Sequence, residues 1–251
     1  MSIAEYLIAL AFLAIGCGVQ ATLGIGAGLV AGPALTVIDP DLLPGPMLAM
    51  AMVVNIRNAV ADRQSTHLVA WKRAVIGAPI GLGIGVFILA YTDAKALSLL
   101  VSSFVLAAVA LQLSGLKPPS GITSDYVAGA ATAFSSTVAA LPGPMFVIFH
   151  GHRTPGTVRG TLASFMLLVT PAILIFLAFD GRFGFRHLLL AAVLMPGTFL
   201  GLILGKALRP KISLDRFRGL ILSVASLSAV VVIVRTIALW VLIKFSAFPR
   251  C

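Results

Sequence analysis

Charge is what this chain has least of. Only 10% of its 251 residues are Asp, Glu, Lys or Arg, where a soluble domain carries about a quarter. A water-facing surface could not be built from that supply, so a soluble enzyme, a disordered tail and a coiled coil are excluded. Acidic groups are the scarcer sign, 8 against 18 basic ones. Asp62, Asp93, Asp125, Asp180 and Asp215 all fall near the ends of apolar runs, so no carboxylate relay for Na⁺ or protons is evident. Cysteine is rare too: Cys17 and Cys251 form no CxxC pair and carry no metal or redox signal. HExxH, GxSxG and Walker patterns are missing, which argues against a membrane protease or an ATP-driven pump. No enzyme activity, cofactor or metal is expected.

What remains is apolar. The chain is 59% hydrophobic, with a mean hydropathy of +1.08. Several runs reach the roughly 20 residues that cross a bilayer as helix. The reading is an all-α polytopic membrane protein, with the lipid bilayer as its surroundings. The net charge of +10 would suggest nucleic acid in a soluble protein. Here the basic residues lie mainly between apolar runs, so the positive-inside rule and anionic lipid account for them, and no nucleic-acid partner is expected. Segment 1–23 lacks a basic leader region and carries Glu5, so it reads as a first membrane segment rather than a cleaved signal.

The apolar runs fall at about 3–38, 46–62, 74–91, 96–114, 125–149, 160–179, 187–207 and 217–243, the last containing Arg235. Run one is interrupted by Gly24, Gly26, Gly28 and Gly32-Pro33, and run five by Pro142-Gly143-Pro144. Lys117-Pro118-Pro119-Ser120-Gly121 breaks the pattern and divides the chain. The expected units are a first membrane repeat over 1–116, a linker over 117–123 and a second repeat with its tail over 124–251. A shift of 111 residues lays Gly18 on Gly129, Gly32-Pro33 on Gly143-Pro144 and Pro44-Gly45 on Pro155-Gly156. Internal duplication with corresponding interrupted segments is a signature of secondary transporters.

Basic residues help choose a topology. If all eight runs cross fully, the loops divide them almost evenly and orient nothing. If runs one and five turn back at their breaks, one side gathers Arg63, Lys72, Arg73, Lys117, Arg153, Arg159, Lys206, Arg209, Lys211, Arg216 and Arg218. That asymmetry obeys the positive-inside rule. Each half would then hold three crossings and a re-entrant hairpin, and an odd number of crossings inverts the second repeat. The hairpin arrangement is favoured, with full crossings as the alternative.

The Gly24-Ile25-Gly26-Ala27-Gly28 stretch is not a dinucleotide fingerprint, because Leu29 stands where the last glycine belongs. It reads either as close helix packing through small residues or as an unwound break facing a polar cavity. Two half-helices restarting after the breaks would aim free N–H groups at one point and form an anion site. Gln20 and Thr22 precede the first break; Ser135, Ser136 and Thr137 precede the second. Arg57 lies near mid-depth in run two, flanked by Asn55 and Asn58. An Arg there costs at least ~2.5 kcal/mol on insertion scales, so it faces a cavity or a partner. It either snorkels or pairs with Asp62, or it neutralises an anion whose oxygens match its fork. The candidate binding set is Arg57, Asn55, Asn58, Gln20, Thr22, Gly24, Gly26, Ser135, Ser136, Thr137 and Gly143. His67 and His150-Gly151-His152-Arg153 read as loop residues and make a weak metal site.

Gly18-Val19-Gln20-Ala21-Thr22-Leu23-Gly24-Ile25-Gly26-Ala27-Gly28, followed by Gly32-Pro33 and Pro44, resembles the TauE/SafE family of sulfite and sulfonate exporters. The second copy, with Pro144 and Pro155, fits as well. The resemblance implies a multi-pass transporter of the bacterial inner membrane, exporting a small sulfur-containing or related organic anion. Proton coupling and a homodimer are left open. The rival readings are an anion channel and a non-transporting accessory subunit.

Overall fold

The computed structural model describes residues 2–24, 26–115, 118–208, 230 and 234, with the side chains of 94, 95 and 98 set aside. Apart from Val230 and Val234, run eight, with Arg235, and the basic residues beyond Lys206 lie outside the described residues, as do Ile25, Lys117 and Cys251. The described residues are all-helical, and four of their helices are long and apolar enough to cross a membrane.

The local chemistry explains where helices start and stop. α1 (Ile3–Leu23) opens on a capping box: Ser2 Oγ accepts from Glu5 N–H at 3.3 Å, and Ser2 N–H donates to Glu5 Oε2 at 2.7 Å. It stops at Gly24, whose φ of 84° is left-handed. α2 (Ala27–Ile38) follows, then α3 (Gly45–Ala61). α4 (Leu68–Ala90) is capped by His67, whose Nδ1 accepts from Ala70 N–H at 3.1 Å. α5 covers Ala94–Leu113, α6 Ile122–Ala139 and α7 Pro142–His150. α8 (Pro155–Phe179) starts on the hydroxyl of Thr154 with Pro155 in its first turn, and α9 covers Phe185–Leu208.

Four features differ from the sequence expectation. Pro33 sits inside α2 without ending it. The interruption in run five falls at Ala140-Leu141, ahead of Pro142-Gly143-Pro144. Proline suits a first turn, where its missing N–H is not needed, so these prolines begin α7 rather than end α6. α4 and α8 also start about a turn and a half earlier than their apolar runs, because caps rather than hydropathy set the first residue. Lys72, Arg73 and Arg159 are therefore helical.

Two helix pairs approach with little between them. Gly77, Gly81 and Gly85 on α4 lie against α6, where a methyl at Gly81 would strike the Ala130 carbonyl and one at Gly129 the Ala74 carbonyl. Gly197, Gly201 and Gly205 on α9 lie against α1 in the same way, meeting the carbonyls of Leu10, Ala14 and Gly18. Contacts advance along both partners together, so each pair is parallel. Small residues allow such approach in a bilayer, where burying apolar surface against another helix gains little over lipid. An adjacent face of α4 exposes Ile76, Ile80, Ile84 and Phe87, a stripe that suits lipid.

The loops form two groups. Asp41 pairs with Arg186 at 2.9 Å, Arg182 Nη2 donates to the Thr92 carbonyl at 2.8 Å, and Gly45 touches Phe183. Elsewhere Asp62 pairs with Arg159, Arg73 with Asp125 at 3.1 Å, and His67 N–H donates to Thr161 Oγ1 at 2.9 Å. His150, the last residue of α7, meets Asp125 in the first turn of α6 through Nε2 and Oδ1 at 3.0 Å.

Candidate functional site

The end of α1 is where most of the candidate residues meet. A helix leaves its last carbonyls without internal donors, and cations there also complement its dipole. Three side chains donate there, two of them to carbonyls beyond that of Gln20, which also accepts from the Gly24 N–H at 2.9 Å. Asn58 Nδ2 donates to the Gln20 carbonyl at 3.1 Å, Arg57 Nη1 to the Ala21 carbonyl at 3.1 Å, and Arg159 Nη1 to the Thr22 carbonyl at 2.7 Å. Gln20 Nε2 donates to Asn55 Oδ1 at 3.1 Å, and Arg57 Nη1 also reaches Asn58 Oδ1 at 3.1 Å. Gln20, Asn55, Arg57 and Asn58 thus form one network between α1 and α3. Asn55 and Asn58 are buried, while Arg57 is half-buried. The Thr22 hydroxyl bonds to carbonyls of its own helix, so its backbone rather than its side chain joins the network.

Arg159 is the residue the sequence concealed. Hydropathy puts it just before run six, yet it is 2% exposed inside α8. Its Nε and Nη2 donate to Asp62 Oδ2 and Oδ1 at 2.5 and 2.6 Å, a two-pronged pair across the halves. Asp62 is accordingly buried and held by Arg159. Gly24 tucks against the same side chain: a methyl there would lie 3.0 Å from Arg159 Cβ. Its left-handed φ of 84° and the φ of 134° at Gly26 turn the chain between α1 and α2, so both glycines serve the turn.

The second group is separate. The hydroxyl of Ser135 donates to the Leu141 carbonyl at 2.9 Å, across the turn between α6 and α7. Ser136 and Thr137 bond to the carbonyls of Thr132 and Ala133, one turn back, at 2.5 and 2.8 Å. Ala140 holds a left-handed φ of 53°, and Gly143 is buried in the first turn of α7. These side chains steady the turn rather than join Arg57's network. What brings the two interruptions together is backbone contact, Gly28 at the start of α2 lying against Ala140 and Leu141. Neither α2 nor α7 has a side-chain cap at its N-terminus. Pro142 and Pro144 carry no N–H, so Gly143 is the donor in the first turn of α7, while α1 and α3 hold a half-buried guanidinium in the Arg57 network. That combination suits a small anion.

His150 is buried at the end of α7, stacked on Phe146 at 4.3 Å and bonded to Asp125, so it is not a loop residue. No group of three or more His, Cys, Asp or Glu suited to a metal occurs among the described residues. No curated protein and no solved structure matches the chain. The family model of the sulfite exporter TauE/SafE matches residues 8–232. The match takes in both interruptions together with Arg57 and Arg159, and the chain belongs to that family.

Proposed function

We propose that this chain is a secondary transporter that exports a small sulfur-containing anion, sulfite or a sulfonate, or a related organic anion. Transport runs by alternating access across the bacterial inner membrane. The anion binds between the two interrupted helices, with Arg57 supplying charge and Asn55, Asn58 and Gln20 supplying neutral contacts. The start of α2 and the Gly143 N–H in the first turn of α7 complete the site, beside Thr22, Gly24, Gly26, Ser135, Ser136 and Thr137. The observation that carries this reading is the meeting of the interruptions at Gly28 and Ala140.

Inverted repeats with re-entrant hairpins fit the same contacts. At about 1.5 Å per residue, α2 with 12 residues and α7 with 9 are far short of a 30 Å hydrocarbon core. The His150–Asp125 bond supports α7 turning back beside α6, and the contact of Ala27 with Gly16 supports α2 turning back beside α1. α1 packs on α9 as α6 packs on α4. Arg63, Lys72, Arg73 and Arg153 then share the end that the positive-inside rule makes cytoplasmic.

Reconstitution in liposomes tests the function. Saturable sulfite flux that responds to an imposed gradient is expected of a carrier. Ohmic current without saturation would favour a channel, and no flux with sulfite, sulfonates, thiosulfate or short carboxylates would favour an accessory subunit.

A further inference from the structure

A second polar feature lies away from Arg57, where α4, α6 and the α7–α8 connection meet. A cavity of about 80 Å³ opens there, lined by Arg73, Ser120, Ser124, Asp125, His152 and Arg153 among others. That is room for a few waters or one tetrahedral or pyramidal oxyanion. Asp125 is the acidic group on its wall, and both its oxygens are engaged, one by Arg73 Nη1 at 3.1 Å and the other by His150 Nε2 at 3.0 Å. The Asp125 contact takes one of the five N–H donors that a guanidinium offers. Arg153 is anchored through its backbone, whose N–H donates to the His150 carbonyl at 2.9 Å. Its Nε is buried with no hydrogen-bond partner. A buried donor on a cation left without an acceptor is costly, and an anion oxygen would satisfy it. The Ser124 hydroxyl is turned onto the Pro119 carbonyl, so serine chemistry alone does not fill the need.

We propose that this cavity is an oxyanion site, taking sulfate-, sulfite- or phosphate-like groups between Arg153 and Arg73. Two sources share that chemistry, the free ion and the phosphate of a lipid headgroup. Bound there, the anion ties the α7–α8 connection to α4 and α6, at the ends of the second interrupted segment. The site stands whether or not Arg57 binds the exported anion.

The test uses full-length protein carrying Cys251→Ser and Ser120→Cys, in nanodiscs of neutral lipid, with labelling by a membrane-impermeant maleimide. Sodium sulfate is expected to slow labelling, and sodium chloride of equal ionic strength is not. Losing one charge-assisted contact in Arg153→Gln should raise the sulfate needed for half-protection by about tenfold. Arg57→Ala should leave protection intact, which separates this site from the transport site. Ser124→Glu, which puts a carboxylate in the cavity, should abolish protection and serves if Arg153→Gln does not fold. Protection without sulfate when phosphatidylglycerol replaces neutral lipid would identify the headgroup as the source. Equal labelling in sulfate, chloride and phosphatidylglycerol would overturn the proposal, as would protection that survives both Arg153→Gln and Ser124→Glu or vanishes in Arg57→Ala.

Discussion

Gly28, in the first turn of α2, presses directly on the carbonyl of Ala140, in the turn between α6 and α7. No side chain intervenes, so the two interruptions share one backbone contact. A methyl group at Gly28 would collide with that carbonyl and sit 2.8 Å from Leu141 Cδ2. Gly28→Ala is therefore expected to cost about 1–3 kcal/mol through overpacking, and to abolish flux even where protein is recovered. Gly32→Ala is the control, because its neighbours Val101 and Leu43 stand at 3.7 and 3.8 Å, ordinary contact distance. Thermal unfolding of both variants in detergent checks the difference. Equal melting temperatures would remove the contact from the account.

The Asp62–Arg159 pair joins the halves inside the protein, and removing one partner strands the other. Asp62→Leu or Arg159→Met alone should destabilise by about 3–5 kcal/mol, and the double substitution should recover much of that loss. A double-mutant cycle on melting temperature measures the coupling. Additive losses would mean that the pair acts as two independent residues.

The close α4–α6 and α1–α9 approaches make a further prediction. Gly81→Val and Gly201→Val should each separate a helix pair and lower yield sharply, since the added atoms meet backbone. Gly83→Ala, with nothing within 4 Å, should be neutral or gain up to about 1 kcal/mol in helix propensity. Expression followed by size-exclusion chromatography distinguishes the two classes.

Much of this was readable from composition and interruption. Scarce charge identified the membrane class, and glycines around Gly24 marked the first turn because only glycine takes the φ values found at Gly24 and Gly26 without strain. Arg57 stands out because it is a charge near the middle of run two, where the rest of the run carries none before Asp62 at its end. Arg159 does not, since hydropathy places it at a run's edge, and its burial depends on Asp62, 97 residues away in the chain. Ala140 gave no warning either, because a left-handed alanine leaves no mark in the residue type. The repeated spacing of Gly77, Gly81 and Gly85 in Gly197, Gly201 and Gly205 was present at a shift of 120 residues. A register fixed at 111 residues passes over it.

The side on which each loop lies can be read by cysteine labelling in intact vesicles. Ser65→Cys and Gly151→Cys should react from one face, and Tyr91→Cys and Gly181→Cys from the other. Full crossing of both interrupted runs predicts opposite faces for Ser65 and Gly151.

Arg57 carries the central claim, and substrate-induced thermal stabilisation tests it most directly. Sulfite should raise the melting temperature of the parent protein. Arg57→Ala should still insert and fold, yet need about tenfold or more sulfite for the same shift, as expected for losing a charge-assisted contact. An unchanged sulfite response in Arg57→Ala would contradict an anion site built around that guanidinium.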